Sequence, residues 1–349
     1  MSTNKENIKT IVEKIKSVVT LKQELNQKLI DFLEYLLELN DTYNTSTDHH
    51  STDDSKINTN DHFFAPYVYL GTSNNIDLEN CFRKTKLKNY VLAFLVGKNG
   101  QVCWDNGKSY KDTYLDKQLN YIHEQGGKII ISTGGAGNGD LPKTIPVKEC
   151  FNSLKYLIDK YHIYGIDFDI EGDNIDNFID IHNRIDLIKL LKKDYPNLFI
   201  SFTVPIDPDG LRENGLKLIN TTLMYTKIDC INLMTMDYGP YYAPNGKTDM
   251  DKYAIKSIEK TIDQLEDKNL KIGCCNMIGV NDVKDEIFTL QNAKSIVNYA
   301  LTNKNVHWLS FWSLNRDNGD KINTNYADNK YSGIEQNLFD FTKIFNQFN

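Results

Sequence analysis

Tyr164-Gly165-Ile166-Asp167-Phe168-Asp169-Ile170-Glu171 is the most informative stretch of the chain. Side chains alternate faces along a β-strand, so Asp167, Asp169 and Glu171 share one face while Ile166, Phe168 and Ile170 share the other. Acids are 47 of 349 residues, so three at alternate positions arise by chance roughly once in such a chain. The spacing alone therefore carries little; the surroundings carry more. Carboxylates on the inward face of an otherwise apolar strand are costly unless they share protons and hydrogen bonds. Like charges at close range cannot all ionise, which holds one group protonated near neutral pH, as a general acid requires. An edge strand with a solvated acidic face is the structural alternative, and the Ile/Phe partners argue against it.

Outward from this strand, short apolar, β-branched runs recur, each followed by a charged, helix-length stretch. The strand candidates are Phe64–Leu70, Tyr90–Val96, Lys128–Ser132, Ile163–Ile170, Leu198–Pro205, Cys230–Met236, Lys271–Asn276 and Val306–Trp312. Strands alternating with helices predict parallel pairing with crossover helices. Eight such units predict an α/β fold, a (β/α)₈ TIM barrel over residues 62–349, with a doubly wound open sheet as the alternative. In a barrel Asp167 would lie deepest and Glu171 would emerge at the C-terminal rim, where barrel active sites lie.

Other predicted strand ends agree in polarity. The third ends Ser132-Thr133-Gly134-Gly135-Ala136-Gly137-Asn138-Gly139. No G-x-G-x-x-G register fits it, so Gly134 and Gly135 read as backbone passing close to a ligand or to the acidic strand rather than as a nucleotide loop. The sixth ends Met234-Thr235-Met236-Asp237-Tyr238-Gly239, offering an acid and a phenol at the rim. Trp104 and Trp312 lie toward the same rim. Buried core is the ordinary fate of a tryptophan, and stacking under a sugar ring is the functional reading.

The rest of the chain sets limits. A net charge of −7 disfavours nucleic-acid or anionic-membrane partners, and no apolar run approaches the ~20 residues that span a bilayer. The charged, periodic N-terminus does not read as a secretory signal, which is compatible with a cytoplasmic, non-classically exported or particle-packaged protein. Six scattered cysteines read as buried thiols. Neither the seven histidines nor these cysteines have metal-ligand spacing, so no metal or cofactor is expected. Residues 1–40 read as a helical segment in which 8–39 carry a heptad, with Ile8, Ile15, Lys22, Leu29 and Leu36 at one position and Ile11, Val18, Leu25, Phe32 and Leu39 at the other. It predicts either a coiled coil pairing copies of the chain through 8–39 or an amphipathic helix packed on its own domain. Residues 41–61, polar and nearly free of aliphatics, read as a disordered linker.

Over about residues 61–345 the chain resembles glycoside hydrolase family 18, the chitinase and endo-β-N-acetylglucosaminidase family. The signature D-G-x-D-x-D-x-E is matched by Tyr164 to Glu171 except at Tyr164, S-x-G-G by Ser132 to Gly135, and M-x-Y-D by Met234 to Asp237 except at Met236. The strand-eight tryptophan is similar to Trp312. Phe64-Ala65-Pro66-Tyr67, Met236-Asp237-Tyr238-Gly239, Met277-Ile278-Gly279-Val280-Asn281-Asp282 and Phe311-Trp312-Ser313 look most like a bacterial-type branch. The resemblance implies substrate-assisted, retaining hydrolysis of β-1,4-linked N-acetylglucosamine polymers. Glu171 would protonate the leaving oxygen while the substrate's acetamide attacks the anomeric carbon. Asp169 would orient that acetamide, Asp167 would keep Asp169 protonated and hydrogen-bonded, Asp237 would bind the acetamide, and Trp312 would floor the subsite. Met236 stands where many members have a tyrosine, and Tyr238 is the substitute on the same strand. An endo-β-N-acetylglucosaminidase acting on N-glycans, or a non-catalytic chitin-binding or structural particle protein, are the rival readings; retention of Glu171 disfavours the latter.

Overall fold

The chain divides into two compact units, Met1–Asn58 and Thr59–Asn349. The computed structural model describes residues 62–71, 77–242 and 249–349, together with Lys16 and Lys22. These two lysines are helical and exposed. The remainder of the 8–39 heptad, and the 41–61 stretch, lie outside the described residues.

In the second unit the apolar runs become strands. β1 (Phe63–Phe64) and β2 (Tyr67–Tyr69) form one stave interrupted at Ala65-Pro66, where proline has no N–H to give a ladder. β3 (Tyr90–Lys98) turns back on β4 (Gln101–Trp104) through Asn99-Gly100. Both turn residues have positive φ, 52° and 72°, the pair a two-residue hairpin needs to match strand twist. Then come β5 (Ile129–Gly134), β6 (Gly165–Asp169), β7 (Phe199–Pro205), β8 (Cys230–Met234) and β9 (Lys271–Met277). A small antiparallel pair, β10 (Gly279–Val280) with β11 (Ile287–Phe288), precedes the last stave, β12 (Val306–Trp312).

Parallel pairing runs β2-β3-β5-β6-β7-β8-β9-β12-β1. Because β1 and β2 are halves of one stave, taking β12 on one side and β3 on the other, the ring closes. The fold is a (β/α)₈ barrel, and the open doubly wound sheet is excluded. Helices such as Val147–Tyr161, Phe178–Asp194 and Leu290–Thr302 make the crossovers. Side-chain caps set the starts of the last two: Asn177 accepts from the amides of Ile179 and Asp180, and Thr289 with Asn292 forms a reciprocal box.

Two apolar layers result. Ile166, Phe168 and Ile170 pack outward in the core between sheet and helices. Inside the ring, Phe63, Phe199 and Trp308 fill one end, Phe63 and Trp308 stacking at 5.8 Å. The inward acids of β6 are thus seated on a solid aromatic plug rather than over a pore.

Candidate active site

Asp167 is fully buried inside the ring. Its Oδ2 accepts hydrogen bonds from Tyr67 Oη at 2.9 Å and Ser132 Oγ at 2.7 Å, and its Oδ1 from Ser201 Oγ and Thr203 Oγ1, each at 2.7 Å. Strand register produces this set, since Ser132 and Ser201 lie directly opposite Asp167 on β5 and β7. Burial raises the Asp167 pKa and the four hydroxyls oppose that rise. With both oxygens taken, Asp167 makes no hydrogen bond to Asp169. The sequence-based expectation of such a bond is corrected: Asp167 acts on Asp169 through its charge.

Asp169 instead shares a hydrogen bond with Glu171. Two carboxyl groups can bond only if a proton lies between them. Burial, then the charge of Glu171, then that of Asp167 hold the Asp169 pKa well above the usual carboxylate range. Glu171 is only partly buried and is also raised, by desolvation first and then by Asp237 and Asp282, against the Asp169 hydrogen bond. The pair therefore carries a proton at a pH where an ordinary carboxylate has lost it.

Gly134, the last residue of β5, and Gly135 after it set this geometry. Gly134 has φ +95°, and a Cβ there would lie 2.2 Å from the Asp169 carbonyl oxygen. Gly135 donates its amide to that carbonyl at 3.1 Å, and a Cβ on it would meet the Phe94 ring at 2.6 Å. Neither glycine lines the cleft. Both, like Ser132, hold the acids rather than a ligand.

The acids open into a cleft of about 620 Å³ at the C-terminal ends of the strands. Trp312 forms one wall, stacked on Phe94 at 5.5 Å and 15° and tilted against Tyr69 at 5.2 Å. Four sulfur-bearing side chains, Met234, Met236, Cys275 and Met277, line it near Asp169. Asp237, in the left-handed region at φ 50°, also faces the cleft, and its Oδ1 accepts from the Val283 amide at 2.9 Å. Burial and Asp282 raise its pKa; Arg316 opposes them.

Two expected ligand contacts are corrected. Tyr238 is buried at 4% exposure, outside the cleft, with its ring edge-on to Tyr242 and Tyr253. It follows Asp237, whose left-handed turn sends the next side chain away from the rim. Trp104 is buried at 1% in the core behind the β3–β4 hairpin, because its position on β4 faces the helices. Its neighbour Asp105 reaches the cleft, held by Tyr69 Oη at 3.0 Å and Lys98 Nζ at 2.7 Å. Asp105, Tyr69, Arg212 and Asp282 line the cleft but were not singled out from the sequence. Asp282 closes one of the stretches that carry the resemblance, so it alone had a signal. All six cysteines are free and buried. Among the described residues no group of three His, Cys, Asp or Glu side chains could hold a metal ion, and no helix is long and apolar enough to cross a membrane.

Comparison with known proteins places the fold in a family. The family model for glycosyl hydrolases family 18 matches residues 65–265. The chain is 26% identical over 278 residues to a probable bifunctional chitinase/lysozyme of Escherichia coli K12, covering 73% of this chain and 31% of the relative. It is 26% identical over 275 residues to endochitinase 11 of Metarhizium anisopliae, covering 73% of this chain and 52% of the relative. The chain thus spans between about a third and about half of these relatives. A solved structure of active domain 2 of a thermostable chitinase from Pyrococcus furiosus, a catalytic-site mutant with chito-oligosaccharides, superposes with a TM-score of 0.71 at 27% identity. That superposition covers 82% of this chain and 94% of the other. A closed eight-stave barrel, an acid ladder on its fourth stave and a family match over most of the barrel place this chain in glycosyl hydrolases family 18.

Proposed function

We propose that the cleft hydrolyses β-1,4-linked N-acetylglucosamine polymers with retention of anomeric configuration, the substrate's acetamide acting as nucleophile. The observation that carries this reading is the pairing of Asp169 with Glu171, both lining the cleft beside the Trp312 wall and both held above the usual carboxylate range by burial. Glu171, at the open end, donates its proton to the glycosidic oxygen as the bond to the leaving sugar breaks. The acetamide oxygen forms a bond to the anomeric carbon, giving an oxazolinium ion. Asp169, ionised once the proton of the pair lies on Glu171, turns its carboxylate to the acetamide N–H and stabilises the positive charge. Water then opens the oxazolinium ion, Glu171 taking its proton as base.

Met236, in the slot of the family's tyrosine, gives the acetamide methyl an apolar, polarisable wall, together with Met234, Met277 and Cys275. The phenols of Tyr67 and Tyr69 are engaged by Asp167 and Asp105, so Asp169 and Asp237 are the acids left to bind the acetamide. Trp312 takes the apolar face of the reacting sugar.

Cleavage of N-acetylated chito-hexaose, with product anomers followed by NMR, tests the reading. Retained β-anomers and a loss of about 10²–10⁴-fold in Glu171→Gln are expected. Equal cleavage of fully deacetylated chitosan would show the acetamide to be dispensable and remove the proposal.

A further inference from the structure

Glu286 lies outside the cleft and is fully buried. No step of the chemistry above uses it. Its carboxylate accepts the backbone amides of Tyr238 at 3.2 Å and Gly239 at 3.1 Å. Those amides belong to the turn after β8, where Asp237 and Gly239 both have left-handed φ, 50° and 96°. For a non-glycine residue that conformation is disfavoured and persists only where neighbours hold it.

The hold is reciprocal. Asp237, from the turn after β8, accepts the Val283 amide in the loop before β11. Glu286, from the end of that same loop, accepts amides in the turn after β8. The loop is itself tight: Glu286 donates its amide to Val283 O at 3.2 Å, Asn281 donates its amide to Glu286 O at 3.0 Å, and Asn281 Nδ2 donates to Met277 O and Gly279 O. Two carboxylates thus lace two loops together, and one of them faces Glu171.

We infer that Glu286 is a positioning residue, holding the strained turn so that the Asp237 carboxylate stays against Glu171. The inference rests on the reading of Glu171 as proton donor. Its consequence is electrostatic. The charged groups that share the cleft with Glu171 are Asp169 from β6, Asp237 from the turn after β8, Asp282 from the loop between β10 and β11, Asp105 after β4 and Arg212 after β7; Arg316, beyond β12, acts on Asp237. Asp237 raises the Glu171 pKa, and Glu286 is not among the groups that shift it. Loosening the turn lets Asp237 withdraw, so the Glu171 pKa falls and the proton is lost at lower pH. Burial and the Asp237 charge push Glu286 itself up to about 7, so its grip as an acceptor is complete only where it is ionised.

Glu286→Gln keeps the shape but turns an amide donor toward two backbone donors. On full-length protein with chito-hexaose, the basic limb of kcat/KM should move to lower pH, with kcat falling about 10-fold, equivalent to about 1.4 kcal/mol. Asp237→Asn should move the same limb, and Glu286→Gln added to Asp237→Asn should move it no further, because both act through one carboxylate. An unmoved limb with only a lower melting temperature makes Glu286 merely structural and overturns the inference. An equal extra shift in the Asp237→Asn background overturns it too. If Glu286→Gln does not fold, Glu286→Asp, which keeps the charge and shortens the reach, should give a smaller shift in the same direction; no shift overturns the inference. A Glu171→Gln enzyme that remained active would instead defeat the proton-donor reading, and the two failures are distinguishable.

Discussion

Asp169 is hydrogen-bonded to Glu171 and not to Asp167, although all three acids share one strand face. Four hydroxyls, from the two neighbouring staves and from β2 across the ring, have already filled the oxygens of Asp167. The two acids at the open end of the ladder are the ones left to pair with each other.

The pH dependence of stability follows from that pairing. The folded-state pKa values of Asp169 and Glu171 are raised above their usual 3.8 and 4.5. A raised acid contributes stability that is present below its unfolded pKa and lost as pH rises through its folded pKa. Glu171→Gln removes that loss. Its melting temperature is therefore expected to exceed the parent's by a margin that grows as pH rises above the usual carboxylate range, followed by scanning calorimetry. A margin that shrinks with pH contradicts the assignment.

Trp312 is held in place by Phe94 and Tyr69, so it presents a rigid plane to a sugar. Trp312→Ala should lower kcat/KM on chito-oligosaccharides about 10–100-fold, or roughly 1.4–2.8 kcal/mol. Trp312→Phe should recover part of it. Steady-state kinetics on both variants, with circular dichroism to verify folding, is the check.

Gly134→Ala places a methyl 2.2 Å from the Asp169 carbonyl oxygen at φ +95°. The expected cost is about 3 kcal/mol in urea unfolding. Gly137→Ala, where a Cβ meets nothing within 4 Å, should change stability by less than about 0.5 kcal/mol. Equal effects at the two positions contradict the close-approach account.

Arg184 is fully buried and paired with Asp140 at 2.6 Å. It also donates to Asn174 O, and Asn174 Nδ2 donates to the Glu171 carbonyl at 3.1 Å. Arg184→Met strands the buried Asp140 carboxyl and should destabilise by about 3–5 kcal/mol. The double variant Arg184→Met, Asp140→Leu should recover most of that, as read by the same unfolding curves.

Much of the fold was legible because β-branched runs alternating with helical stretches leave few topologies. The acid ladder was legible because the period of a strand is two, so Ile166, Phe168 and Ile170 marked the outward face and left the acids inward. The roles of Tyr238 and Trp104 were not legible. A single left-handed residue at Asp237 reverses where Tyr238 points, and a hairpin with its own register turns Trp104 to the helices. Neither turn changes the local pattern of apolar residues.

The sequence by itself determined the staves, their order, and three carboxylates on one face, since these follow from local periodicity and chain connectivity. Only the tertiary structure decided which carboxylates are left to pair. That choice depends on Tyr67, Ser132, Ser201 and Thr203, which come from three other staves as far as 100 residues away along the chain and meet at Asp167 only when the ring closes. It depends too on desolvation, a property of the closed barrel that no single strand possesses.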